Sequence, residues 1–269
     1  IIDAAIVGRT IGVNALAAVG ASSSIMFLII GFCNGSCSGF AIPIAQAFGA
    51  KDYTTMRSYV SNAIRLAAII AVILTVTTCA LCTPILQLVN TPKEVFSDAY
   101  IFLLLNFIAI PFTIIYNCLS GFIRALGNSK QPFYFLIISS LVNVALDVLL
   151  IIFLHLGAEG AGIATLLSQA FSGYLCYNYI KRKMPILVPH KEECLRDRKK
   201  SLTLLNNGIP MGLQFSITAI GIIMLQGANN ALGTRYVAAF TASMRVKYLF
   251  TCVFENIGVA MATYCGQNI

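Results

Sequence analysis

Seven stretches of this chain are long, apolar and poor in charge: 16–48, 59–82, 99–122, 133–154, 160–180, 204–231 and 237–269. Each reaches the length of about 20 mostly apolar residues with which a helix crosses a hydrocarbon core about 30 Å thick. Backbone in lipid must satisfy its own hydrogen bonds, so such stretches are predicted as helices. Residues 1–8 are apolar too and read as the end of another. The expectation is an all-α polytopic membrane protein with about eight helices. Pro43 and Pro111 fall inside the first and third stretches and predict kinks there.

Composition agrees with burial in lipid. Charged residues make up 10% of the chain, against about 25% in soluble domains. With no Trp present, any interfacial aromatic belt rests on Tyr and Phe. The net charge of +8 does not point to nucleic acid, because eight of the 18 basic residues are concentrated in residues 181–200. Loops carrying Lys51 and Arg57, then Arg124 and Lys130, then 181–200 alternate with loops poor in net positive charge. The basic set is expected to face the cytoplasm. The nine cysteines read as small buried hydrophobes. Cys33 and Cys37 lie one turn apart, but no His or carboxylate completes a metal set. His155 and His190 both fall in loops, and no nucleophile–base set is visible, so the chain does not read as an enzyme.

Residues Gly12 to Gln46 align without a gap on Gly233 to Gln267, a shift of 221. Matches include Gly12/Gly233, Ala17-Ala18/Ala238-Ala239, Ala21-Ser22/Ala242-Ser243, Leu28/Leu249, Ala41/Ala262 and Gln46/Gln267. Six helices separate equivalent points, an even number that preserves orientation. That describes parallel repeats about an axis along the membrane normal. The repeat divides the chain into a first lobe at 1–183, a basic linker at 184–203 and the start of a second lobe at 204–269.

Ionisable groups inside a membrane helix cost about 2.5–3.5 kcal/mol or more at the bilayer centre, and few are present. Asp147 sits deep in 133–154, with Asn143 and Ser140 preceding it on one helical face. The next helix presents Thr165, Ser168 and Ser172 at similar spacing. Asp3 lies at comparable depth in the opening stretch. Two carboxylates with an amide and a hydroxyl suit one cation, because burial and mutual repulsion disfavour two bare negative charges. A proton is one candidate; hard oxygen ligands at Asp3, Asn143 and Asp147 also suit sodium. Asp147 alternatively acts as polar glue between helices. Shifted by 221, Asp3 falls on Met224, which places the cation site in the first half only. In the second half Gln214 and Gln226 are candidate cavity-lining groups, together with Ser140 and Ser168 in the first. Glu255, with Arg245 and Lys247 on the same helix, reads as salt-bridged. Small-residue runs at Ala17-Ala18 and 160–165 predict close helix approach.

Several of these motifs resemble the MATE (multidrug and toxic compound extrusion) family. They are Asp3-Ala-Ala-Ile-Val-Gly8-Arg9, Gln46-Ala-Phe-Gly-Ala-Lys51-Asp52, Arg124-Ala-Leu-Gly-Asn128, Asn143-Val-Ala-Leu-Asp147, Gly160-Ala-Gly-Ile-Ala-Thr165 and Pro210-Met-Gly-Leu213. The resemblance covers the whole chain. It implies a MATE-type two-lobe bundle of parallel six-helix repeats, with about eight of twelve helices present. The opening Ile1-Ile2-Asp3 and the close at Gly266-Gln267-Asn268-Ile269 then mark an internal fragment. The resemblance further implies a cation-coupled antiporter exporting amphipathic, often cationic drugs by alternating access. Its DinF-like branch places the cation at positions matching Asp3, Asn143, Asp147 and Thr165. No acidic residue stands in Gln214-Phe-Ser-Ile-Thr218, where another branch has one.

The implied partners are small organic cations and the lipid bilayer, with no nucleic acid, no cofactor beyond the coupling proton or sodium ion, and a monomeric state. The implied location is a bacterial inner membrane. Two other readings stand beside this one: a flippase of lipid-linked oligosaccharides on a related scaffold, and an uncoupled channel or scaffold.

Overall fold

The computed structural model of the chain describes the backbone of residues 13–88, 96–230 and 234–268, and every long element among them is helical. Helix α1 (Val13–Gly49) passes through Pro43 without leaving helical geometry. It turns back into α2 (Tyr53–Ala80) through a tight loop in which Lys51 takes a left-handed φ of 58°. Asp52 closes that loop, its carboxylate accepting from the Thr55 amide at 3.0 Å. The short α3 (Cys82–Leu88) follows. Helices α4 (Phe96–Ile108) and α5 (Ile110–Ala125) form one apolar span interrupted at Ala109. Pro111 explains the interruption: it stands in the first turn of α5, where its missing N–H leaves no bond unmade.

Gly127, at φ 87°, ends that span and lets the chain turn into α6 (Lys130–Asp147). A π-helical stretch (Val148–Phe153) extends α6, and α7 (Ala158–Lys183) returns antiparallel to it. Helices α8 (Arg198–Asn230) and α9 (Thr234–Asn268) complete the chain. All seven apolar stretches are therefore helical. Among the described residues four spans are long and apolar enough to cross a membrane: Ile25–Gly49, Tyr53–Ala80, Phe96–Ala125 and Lys130–Phe153. Val72, Val76, Leu141 and Phe153 on these spans expose their side chains. An apolar exterior of this kind suits lipid and not water.

Helix α1 is the hub, packing on α2, α4, α5, α8 and α9. Phe40, Ile44, Phe107, Ile114 and Phe122 are buried at its contacts and form the centre of the core. Its tightest seam is with α8, and it is built from two glycine pairs of the G-x-x-x-G spacing, Gly35/Gly39 and Gly208/Gly212. A methyl group on Gly35 would lie 2.5 Å from the Met211 carbonyl oxygen, and one on Gly39 2.5 Å from that of Asn207. Only glycine allows backbones so close. Small-residue runs predicted from the sequence did not include this pair, although both halves of it are plain in the sequence.

The basic linker is folded. Between α7 and α8 it forms two 3-10 turns, Pro185–Leu187 and Lys191–Cys194, and Leu187 is buried in the core. Glu193 forms a salt bridge of 2.7 Å with Arg57 Nη2 on α2, and Arg57 Nε donates to both of its carboxylate oxygens, at 2.8 and 2.7 Å. The Arg65 guanidinium donates to the Cys194 carbonyl at 2.8 Å. Asn62 Oδ1 accepts from the Asp197 amide at 3.2 Å and the Ser201 hydroxyl at 3.1 Å. The linker is thus a strap laid across α2, and α8 starts from a fixed point. The Arg57 guanidinium holds the Glu193 carboxyl below its ordinary value.

Candidate functional site

Helices α6 and α7 pack as an antiparallel hairpin, and Ser139 ties them, its hydroxyl donating to the Ser168 carbonyl at 2.7 Å. Four residues on from Ser139 is Asn143, and three back from Ser168 is Thr165. In an antiparallel pair these two share a level. Asp147 lies one turn further along and is completely buried. It is also the last residue of α6 proper, since the backbone widens into the π stretch immediately after it. Widened turns of this kind are frequent at functional sites. On the facing helix Gly160 lies against Leu150 and Ile151 of the π stretch, where a methyl group would meet Ile151 at 3.0 Å. Gly162 lets α7 press onto α4, because a methyl there would meet Leu105 at 2.8 Å.

The hydroxyls of α7 bond within their own helix. Thr165 donates to the Ala161 carbonyl at 2.9 Å, and Ser168 to that of Thr165 at 2.9 Å. Each keeps its lone pairs available as a hard acceptor. Asn143 and Thr165 are half-buried, and Ser168 is buried. Ser140 is exposed and does not face this hairpin; the adjacent Ser139 occupies that face. The correction has a simple cause. Ser139 and Ser140 both satisfy helical spacing to Asn143 and Asp147, one at i+4 and i+8 and the other at i+3 and i+7. The bulky, exposed Leu136, Ile137 and Leu141 mark the outer side that Ser140 shares. Asp3 and the side chain of Gln226 lie outside the described residues.

A second feature sits between the two halves. Helices α1, α5, α8 and α9 line an open cavity of about 320 Å³, with Ser38, Gly121, Arg124, Thr263 and the exposed Gln214 and Glu255 among its walls. Gln214 therefore stands on a cavity wall. Glu255 faces the same space. Arg245 and Lys247 are ten and eight residues away on its helix, about 15 Å and 12 Å along the axis. A salt bridge within that helix is thus not its role. Arg124 is half-buried at the end of α5.

The family model described as MatE matches residues 1–149 of this chain. The chain belongs to the MatE family. Its relatives include the probable multidrug resistance proteins YoeA and YpnP of Bacillus subtilis, both 30% identical to it. YoeA aligns over 98% of this chain and 58% of its own length, and YpnP over 100% and 60%. This MatE chain thus spans about 60% of the curated relatives it matches. A solved structure described as the outward-facing conformation of a multidrug resistance MATE family transporter of the MOP superfamily superposes with a TM-score of 0.90. It covers 99% of the MatE chain and 60% of the other, at 23% identity, and so shows a common fold. As a member of this family, with four spans among its described residues long and apolar enough to cross a membrane, the chain is a helical multi-pass membrane protein.

Proposed function

We propose that this MatE chain carries the first lobe and the opening helices of the second in a cation-coupled exporter of amphipathic, often cationic compounds. The carrying observation is Asp147, a carboxyl group completely buried where α6 gives way to the π stretch. A buried carboxyl in a lipid-embedded bundle is retained against a standing energetic cost, and ion pathways are where such groups occur. Asn143 and Thr165 supply neutral oxygens one turn away, a donor set that fits a proton or a sodium ion. Asp3 would complete it from the opening stretch. The relatives' designation as multidrug resistance proteins supports the export reading.

In this reading the lobes are residues 1–183 and 204–269, joined by the linker at 184–203. The strap faces the cytoplasm on a bacterial inner membrane, and the unit works as a monomer. Binding of the cation at Asp147 biases one lobe arrangement over the other, and its release on the opposite side reverses the bias. Vesicles holding the full-length protein under separate pH and sodium gradients test this. The Asp147→Asn variant should lose gradient-driven efflux by tenfold or more at unchanged expression. Efflux that persists and still follows either gradient would overturn the proposal.

A further inference from the structure

The cavity between α1, α5, α8 and α9 holds two opposite charges that no other group in the described residues neutralises. Its walls are otherwise apolar or neutral, with Ala41, Ile42, Met211, Phe215 and Val259 among them. Arg124 enters from the first half and Glu255 from the second, and neither forms an ion pair among the described residues. A half-buried guanidinium has lost part of its hydration, which costs free energy. A carboxylate on the opposite wall of the same cavity offsets part of that cost.

We infer that Arg124 and Glu255 form the charge-reading pair of this cavity, with Glu255 receiving the cationic group of an amphipathic ligand and Arg124 limiting how strongly it does so. The inference rests on the transporter reading above and adds to it the residues that set charge preference. The apolar wall accommodates the ligand body, while Gln214, Ser38 and Thr263 supply neutral hydrogen-bonding groups. A ligand cation near Glu255 is attracted by the carboxylate and repelled by the guanidinium. Removing one or the other therefore moves its affinity in opposite directions. A purely structural role for either residue moves affinity in one direction, whatever the ligand's charge.

The full-length protein in lipid nanodiscs, without any gradient, provides the test. The probes are tetraphenylphosphonium, the neutral triphenylphosphine oxide and tetraphenylborate, with empty nanodiscs to subtract partition into lipid. Glu255→Gln should weaken tetraphenylphosphonium binding on the order of tenfold and leave the neutral probe unchanged. Glu255→Asp should restore most of it. Arg124→Gln should tighten tetraphenylphosphonium several-fold and weaken tetraphenylborate, while Arg124→Lys stays near the parent. Unchanged tetraphenylphosphonium binding in Glu255→Gln overturns the inference. So does an equal loss of all three probes in both neutral variants, which would report packing. Loss of gradient-driven efflux in a protein that still binds the three probes in this charge order reports a failure of cation coupling and not of this pair.

Discussion

Gly266 rests on Ala45, its own counterpart one repeat earlier: a methyl group on Gly266 would sit 3.2 Å from that of Ala45. The shift of 221 that aligns the repeat carries Ala45 onto Gly266 and Gln46 onto Gln267. It also carries Val13, the first residue of α1, onto Thr234, the first of α9. Equivalent residues touch each other only beside a two-fold axis, as in an isologous interface. The contact therefore locates the pseudo-symmetry axis of the bundle between the ends of α1 and α9.

A first prediction follows from that contact. Ala45→Cys with Gly266→Cys, in a chain whose native cysteines are replaced, should cross-link under mild oxidation. The Cβ separation is close to the range of about 3.5–4.5 Å that disulfides require. Export should stop in the oxidised protein and return on reduction if the two lobes must part here. The checks are a gel-mobility shift and an efflux assay on the same sample.

The glycine seam between α1 and α8 gives a second. Gly39→Leu drives a side chain into the Asn207 carbonyl and should lower stability by about 1–3 kcal/mol or more. Gly221→Leu, on the same α8 but with nothing within 4 Å of a methyl group there, should be close to neutral. Thermal unfolding in detergent compares the two directly.

Third, Ser139 and Ser140 should separate cleanly. Ser139→Ala removes the hydroxyl that joins α6 to α7 and should cost about 0.6–1.5 kcal/mol. Ser140→Ala should cost almost nothing. Equal effects in the same unfolding assay would contradict the assignment of the inner face.

The fourth concerns the strap. Glu193 is held below its ordinary carboxyl value by Arg57. Its attachment is therefore present above the ordinary value and is lost as pH falls through the depressed one. Protease nicking within residues 184–197 should stay low from neutral pH to about pH 4.5 and rise below that. Glu193→Gln should raise nicking at neutral pH, by the equivalent of at most about 1 kcal/mol for a solvent-reachable ion pair.

Much of this architecture is legible in the residues. Apolar length places all seven helices, because in lipid the backbone has no alternative to helix. The one-turn spacing of Asn143 and Asp147 along α6 is legible as well, since periodicity is local. Which of two adjacent serines points inward is not, because both satisfy the spacing and only the neighbouring helix decides. The partnership of Gly35/Gly39 with Gly208/Gly212 escapes for the same reason: each half is a common pattern, and their meeting is a fact of packing 170 residues apart. The strap is the largest surprise. A run of Lys and Arg reads as a solvated, topogenic loop, yet the acidic Glu193 and Asp197 within it find Arg57 and Asn62 across the fold.

The seam of α1 on α8 also has a mechanical consequence. Most helix interfaces are interlocked by side chains, and tilting one helix on another forces many rotamers to change together. At this crossing few side chains interlock: backbone meets backbone at Gly35 and Gly39, and the Phe32 and Phe40 rings seat over Gly212 and Gly208. Two such helices can rock about their crossing with few rotamers to change, held close largely by dispersion. A methyl group on Gly35 or Gly39 would meet a carbonyl oxygen of α8 and jam that motion.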